Sequence, residues 1–250
     1  MKILVSNDDG VHSDGLAALV NEIKSLGHVT VVAPDRERSA VGHSLTFFRP
    51  LRVRKIAEDE CSIVYATDGT PSDCVLLGIY ELMDERPDLV ISGINRGANL
   101  GDDLTYSGTV SAAMEGVIHG VPGFAISQTA YETMHWTTAA AFARRIAVAL
   151  RDHALPPKTF LNVNVPNVPL DAVRGIEITT QGESIYEQRL IRREDPRGDE
   201  YYWITGAIPR GERVPGTDFA ALLDHRVSVT PIQLNLTHHA FVDELRTWRV

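Results

Sequence analysis

The sequence predicts an α/β fold in which a mainly parallel β-sheet is covered by helices on both faces. Two observations carry this prediction. Strand-like runs alternate with helix-like stretches over residues 1–165, and a helix between successive strands is the connection that parallel pairing requires. The composition is 44% hydrophobic and 23% charged over 250 residues, that of a globular chain with a sizeable core.

Each element has a local reason. Ile3-Leu4-Val5-Ser6 reads as a short buried strand, and Leu16, Leu19, Val20, Ile23 and Leu26 recur at helical spacing over 14–26 before Gly27 stops the helix. Residues 28–33 are β-branched and end at Pro34, and strand-like pairs follow at 51–56 and 61–66. Thr70-Pro71-Ser72-Asp73 starts a helix with Thr as N-cap, Pro in the first position and Asp in the third, running to about Met83. A strand at 89–92 leads into a glycine-rich loop over 93–108 and a helix over 109–119. A strand at 124–127, an Ala-rich helix at 137–150 and a strand at 160–165 close the alternation.

The composition then changes. Ten of the eighteen residues from Glu183 to Glu200 are charged, and Tyr201-Tyr202-Trp203 follows. This predicts a protruding hairpin arm over about 180–210, whose aromatic end stacks a base or, better, meets another subunit. A strand over 227–236, interrupted by Pro231, and a terminal helix from about 238 to 248 complete the chain. One domain spans 1–250, with its core in about 1–170 and 225–236.

Charge narrows the function. The net charge is −9, with 33 acidic against 24 basic side chains. That disfavours a polymeric nucleic acid as partner, because such binding rests on Lys and Arg neutralising phosphates. No segment reaches the length of a membrane span, the N-terminal apolar run is too short for a signal peptide, and Cys61 and Cys74 read as buried free thiols of a reducing, cytoplasmic compartment.

Ligands in open α/β sheets bind at the C-terminal ends of strands. The first such loop is Asn7-Asp8-Asp9-Gly10. Adjacent carboxylates repel, so the pair is explained either by a divalent cation held beside them or by turn chemistry. The loop also lacks the glycine fingerprint of a dinucleotide site. The second loop, 34–42, offers Ser39 as a ligand or a loop hydrogen bond. The third carries Gly93, Gly97 and Gly101 with Asn95 and Asn99, and runs into Tyr106-Ser107-Gly108-Thr109 at a helix start, an anion-binding arrangement. Acidic and glycine-rich loops at one sheet edge suggest metal-assisted phosphate chemistry.

Taken with Ala33-Pro34-Asp35-Arg36-Glu37-Arg38-Ser39-Ala40, Gly69-Thr70-Pro71-Ser72-Asp73-Cys74 and Ser92-Gly93-Ile94-Asn95-Arg96-Gly97-Ala98-Asn99, these blocks resemble the survival protein SurE family, most strongly over about residues 1–130. The resemblance implies a Rossmann-like three-layer core and a metal-dependent nucleotidase acting on nucleoside 5′- and 3′-monophosphates, other phosphomonoesters and short polyphosphate. It implies Asp8, Asp9, Ser39 and Asn95 as ligands of one Mg²⁺ or Mn²⁺ per subunit, and Asn99, Ser107, Gly108 and Thr109 as the phosphate cradle. It also implies a homodimer or homotetramer exchanging arm and C-terminal segments.

The expected chemistry is in-line attack on phosphorus by a metal-activated water, with Asp8 or Asp9 taking its proton. Direct attack by an Asp is less favoured, because a carboxylate committed to metal is a poorer nucleophile. Arg96 and His43 lie near these loops, as substrate contacts or as solvated loop residues. The nine histidines show no zinc-type spacing. Two other classes, a dinucleotide-dependent oxidoreductase and a sensor without turnover, are separated from a phosphatase by phosphate release from AMP, lost with EDTA and restored by Mn²⁺ or Mg²⁺.

Overall fold

The computed structural model describes residues 1–129, 133–186, 189–205 and 210–248. In chain order the elements are β1 (Lys2–Ser6), α1 (Asp14–Ile23), β2 (His28–Pro34), β3 (Val53–Glu58), β4 (Ser62–Thr67), α2 (Pro71–Leu77), β5 (Leu89–Arg96), α3 (Gly108–Ile118), β6 (Gly123–Gln128), α4 (Trp136–Asp152) and β7 (Thr159–Val165). They continue with β8 (Ile176–Ile178), β9 (Ser184–Ile185), β10 (Arg189–Glu194), β11 (Glu200–Thr205), β12 (Arg210–Gly211), α5 (Asp218–Leu223), β13 (Val227–Gln233) and α6 (His239–Leu245).

Nine strands form one sheet in the order β3-β4-β2-β1-β5-β6-β7-β13-β8. The six from β4 to β7 are mutually parallel, while β3 and β13 run antiparallel to β4 and β7. The chain winds outward from β1 in one direction through β2 and in the other through β5. The ends of β1 and β5 therefore flank the switch point where ligands collect in such sheets.

Two apolar layers hold the sheet. On one face Leu16, Leu19 and Ile23 of α1 and Ala139, Phe142, Ala143 and Ile146 of α4 pack on Ile3, Val5, Ile91 and Ile126. On the other, Cys74 and Val75 of α2 meet Leu4, Val32 and Val90, and Val110 and Ala113 of α3 meet Ala125 and Phe160. Phe124, Phe142 and Phe160 are fully buried, and truncating any of them to Ala would cost about 3–5 kcal/mol.

The alternation expected from sequence is present, with local differences. The helix expected over 14–26 is α-helical only to Ile23 and closes as a 3₁₀ turn over Lys24–Leu26. Helix α2 starts as expected, with Thr70 as N-cap and Pro in the first turn; Thr70 and Asp73 in addition form a reciprocal capping box, and the helix continues as a wider π-type turn over Gly78–Leu82. Strand β5 does not stop at Ser92: its pairing with β6 shifts register there and resumes at Asn95, so the expected loop begins four residues later. Pro231 sits inside β13 without breaking it, because β8 pairs only with Val227–Val229 and leaves the edge open at that point.

Cys74 is buried but Cys61 is exposed, contrary to expectation. Cys61 stands in the β3–β4 turn, where the Asp59 carboxylate accepts from the N–H groups of Cys61 and Ser62. Helix α5 was not expected. Six residues are too few to show periodicity, and the helix is stabilised by its Thr217 cap and by burial of Phe219 to Leu222. The arm contains the antiparallel pair β10–β11 with a turn at Asp195–Asp199. Its residues 187, 188 and 206–209, like 130–132 and 249–250, lie outside the described residues.

Candidate active site

The chain leaves β1 through Asn7, whose side-chain amide donates to Gly10 O at 3.0 Å and Ser13 Oγ at 2.8 Å. Gly10 takes φ +96°, and a Cβ there would stand 3.1 Å from the Arg36 carbonyl carbon, so glycine lets the chain turn back against the end of β2. Val11 N–H donates to Pro34 O and Arg38 N–H to Asp8 O, both within 2.8 Å. These bonds make the first two loops one rigid unit.

Within it the two carboxylates part. Asp8 is only 4% exposed and turns toward α3, where the Thr109 hydroxyl donates to its Oδ1. A Cβ at Gly108 would stand 2.8 Å from Asp8 Cβ, so the first residue of α3 is pressed on this side chain. Asp9 turns toward the end of β5, and its Oδ2 accepts the Arg96 N–H at 3.0 Å. Asn95 lies beside it and donates to Gly97 O at 2.8 Å, leaving Oδ1 without a protein donor among the described residues. Asp8, Asp9, Gly108, Thr109 and Asn95 are thus brought to one sheet edge.

Burial governs the charges. Desolvation pushes the Asp8 carboxyl from its ordinary 3.8 up to about 6, against the lowering effect of the Thr109 hydroxyl and with a further push from Asp9. Asp9 is also raised, first by desolvation, opposed by the Arg96 N–H and reinforced by Glu37. Neither carboxylate has a salt-bridge partner among the described residues. Beside Asp9 opens a cleft of about 650 Å³, walled also by His12, Glu37, Arg96 and Trp136, within the size range of small-molecule sites.

Of the remaining expected residues, Ser107 stands at the opening of α3 and the others lie in contacts of their own. Ser39 is exposed and donates to Glu37 Oε1 at 2.7 Å, not to either aspartate. Ser107 caps α3 by accepting from Val110 N–H at 3.1 Å, so the helix opens at the site as expected. Asn99 is buried in a network of its own: its N–H donates to Asn164 Oδ1 at 2.8 Å, its carbonyl accepts from Asn162 and Asn164 at 2.9 Å each, and its amide donates to Ser127 Oγ at 2.7 Å. His43 is bonded to Glu115 of α3. Tyr201, Tyr202 and Trp203 are exposed on the arm.

Two supports were missed from sequence. Asn162 and Asn164 are fully buried on β7 and hold the Asn99 backbone; their signal was two amides at alternate positions of an otherwise apolar strand. The buried Asp218 of α5 accepts from the N–H groups of Gly101, Gly182 and Phe219 at 2.9 Å, pinning the glycine-rich loop to a segment more than a hundred residues later. Spacing carries no trace of that contact.

The chain is similar to known proteins over nearly its whole length. The family model described as survival protein SurE matches residues 3–188. A protein from Geobacter sulfurreducens named 5′-nucleotidase SurE is 51% identical over 99% of this chain and 94% of its own length. One of the same name from Chloroflexus aggregans is 49% identical over 99% of each. The crystal structure of the Sure protein from Aquifex aeolicus superposes with a TM-score of 0.86 at 44% identity, covering 98% of both chains. With a match of this extent to the family and to its fold, the chain belongs to the survival protein SurE family.

Proposed function

We propose that this chain is a metal-dependent phosphoric monoester hydrolase, a 5′-nucleotidase. In this reading it hydrolyses nucleoside 5′- and 3′-monophosphates to nucleoside and phosphate, and acts on other phosphomonoesters and short polyphosphate. The observation that carries the reading is the buried Asp8 carboxylate, without a cationic partner among the described residues and pressed against the N-terminus of α3. A desolvated carboxylate calls for a cation, and a helix N-terminus for an anion. The name shared by the relatives, 5′-nucleotidase SurE, supports nucleoside monophosphates as the substrate class.

The residues fit a divalent cation. In this reading the donors are the four that the family resemblance implies, two carboxylates with neutral oxygens: Asp8, Asp9, Ser39 and Asn95; among the described residues no cluster of three or more His, Cys, Asp and Glu side chains converges to compete with them. Such hard oxygen donors suit Mg²⁺ or Mn²⁺, one per subunit. Ser39 donates its proton to Glu37 and keeps its oxygen lone pairs for the cation. When bound, the cation neutralises phosphoryl charge and lowers the pKa of water.

The protein's own groups do the rest. The N–H groups at the start of α3, the Ser107 hydroxyl and the second amide proton of Asn99 hold the phosphate; the Thr109 hydroxyl joins them when it turns from Asp8, and Gly108 leaves room between the phosphate and Asp8. A carboxylate oxygen of Asp8 or Asp9 accepts the proton of the attacking water as the ester oxygen leaves in line.

The chain acts as one α/β unit whose arm and C-terminal segment are exchanged in a homodimer or homotetramer. The exposure of Leu190, Trp203 and Ile204 on the arm and of Leu236 after β13 supports this. The unpaired thiols fit a cytoplasmic location; no helix among the described residues is long and apolar enough to cross a membrane.

Phosphate release from 5′-AMP, 3′-AMP and a chromogenic phosphomonoester tests the reading. Turnover is expected with Mn²⁺ or Mg²⁺, lost in EDTA and restored by added metal. Binding of AMP without phosphate release would overturn it in favour of a sensor.

A further inference from the structure

We propose that Glu115 is a positioning residue: through His43 it holds the loop that carries Ser39 against α3, so that Ser39 stays within reach of Asp8 and Asp9. The inference rests on the reading of Ser39 as a cation ligand.

Glu115 is only 3% exposed on α3, a rare place for a carboxylate unless its oxygens are matched. Both are. His119, one turn later, meets Oε1 with its Nε2 at 3.0 Å, and Tyr80 OH meets His119 Nδ1 at 2.8 Å. These contacts hold the His119 ring between Tyr80 and Glu115, and they fix the carboxylate so that Oε2 faces the loop. His43 Nε2 bonds to Oε2. Glu115 lies between the two rings and spends one oxygen on each, the arrangement of a clamp.

The loop between β2 and β3 has no regular structure of its own over 39–46. It is held at its start by Arg38 N–H on Asp8 O (2.7 Å), and at its far end by Thr70 Oγ1 on Ser44 O (2.7 Å) and Thr46 N–H on Asp73 Oδ1 (3.0 Å). Between them, among the described residues, the loop is tied to the rest of the chain by one backbone bond, Gly42 N–H on Tyr106 O at 3.0 Å, and by the His43–Glu115 pair. Among the described residues His43 is the only side chain of 39–46 bonded to α3. Ser39 is four residues away, between the anchor on Asp8 and the anchor on Glu115. Without the His43–Glu115 anchor the loop after Ser39 rests on the single Gly42 N–H bond to Tyr106 O, so Ser39 is held less firmly and the cation's hold on this ligand weakens while the phosphate cradle at the start of α3 stays in place.

The test is Mn²⁺ binding to the metal-stripped full chain, read as free Mn²⁺ by electron paramagnetic resonance, with kinetics on AMP alongside. His43→Ala should weaken Mn²⁺ binding about tenfold, the low end of the range for groups that orient metal ligands, with kcat at saturating Mn²⁺ within about threefold of the parent. His43→Gln, which can still donate to Glu115, should restore most of the affinity. In a Ser39→Ala background His43→Ala should have no further effect, because both act on one contact. The His43 side chain is 30% exposed, so its variants carry the test even if Glu115→Gln fails to fold. Unchanged Mn²⁺ affinity in His43→Ala, or losses that add to those of Ser39→Ala, overturn the inference alone. A Ser39→Ala chain that binds Mn²⁺ like the parent overturns the ligand reading and the inference together.

Discussion

Replacing Asp8 by Asn should abolish activity and yet stabilise the metal-free protein. The folded Asp8 carboxyl titrates at about 6 against an ordinary 3.8, because burial disfavours its charged form. A raised carboxyl pKa means that stability is fully present below pH 3.8 and is lost as pH rises through 6. The displacement of about 2 on the pH scale corresponds to about 3 kcal/mol at neutral pH, at roughly 1.4 kcal/mol for each pH step. Asn keeps the shape and can still accept from the Thr109 hydroxyl, while its new N–H groups need partners, so about 1–3 kcal/mol should remain. For a chain of this size that raises Tm by about 2–10 °C. The assay is thermal unfolding of both proteins in EDTA between pH 3.5 and 8. The gain should be largest near pH 7.5 and vanish below pH 4, where both side chains are neutral. Mn²⁺ should then raise the Tm of the parent but not of the variant; at a hundredfold excess over Kd the parent gains about 2.7 kcal/mol. An Asp8→Asn chain no more stable than the parent in EDTA at pH 7.5, or a gain that persists at pH 3.5, would refute the reasoning.

Gly108→Ala places a methyl 2.8 Å from Asp8 Cβ at a helical position that tolerates Ala; kcat/KM on AMP should fall at least a hundredfold with a far-UV circular dichroism spectrum like the parent's, and near-normal activity would show that Asp8 has room to move. Thr109→Val removes the hydroxyl donated to Asp8 and should raise the Asp8 pKa further, shifting the acid limb of the kcat/KM profile upward, whereas Thr109→Ser should leave it in place. Asp218→Ala strips three backbone N–H groups of their acceptor and should cost about 2–4 kcal/mol in denaturant unfolding, together with a raised KM for AMP, because Gly101 belongs to the glycine-rich loop.

The elements that position the site were legible where local chemistry decides them. Thr70-Pro71-Ser72-Asp73 capped its helix as read because a capping box needs only four consecutive residues. The β-branched runs at 28–33 and 89–92 became strands because their apolar faces are buried on both sides of a parallel sheet. Asn7-Asp8-Asp9-Gly10 stood out because two adjacent carboxylates at a strand end repel each other, and either a cation or turn chemistry must account for them. The family resemblance rested on such short, contiguous blocks.

Other features depend on pairs far apart in the chain, and sequence holds no local record of them. Strand β5 runs on to Arg96 because β6 offers partners beyond the register shift, and α5 forms because its apolar side is buried and its Asp218 meets Gly101 and Gly182. The sequence by itself determined the α/β class, the order of the elements and the residue types that gather at the ends of β1, β5 and α3. Only the tertiary structure decided that Asp8 turns to α3 and Asp9 to β5, that Ser39 rests on Glu37, and that Glu115 reaches His43. The physical reason is that desolvation and hydrogen-bond partnership are properties of the packed neighbourhood, set by residues from separate elements that meet only once the sheet is assembled.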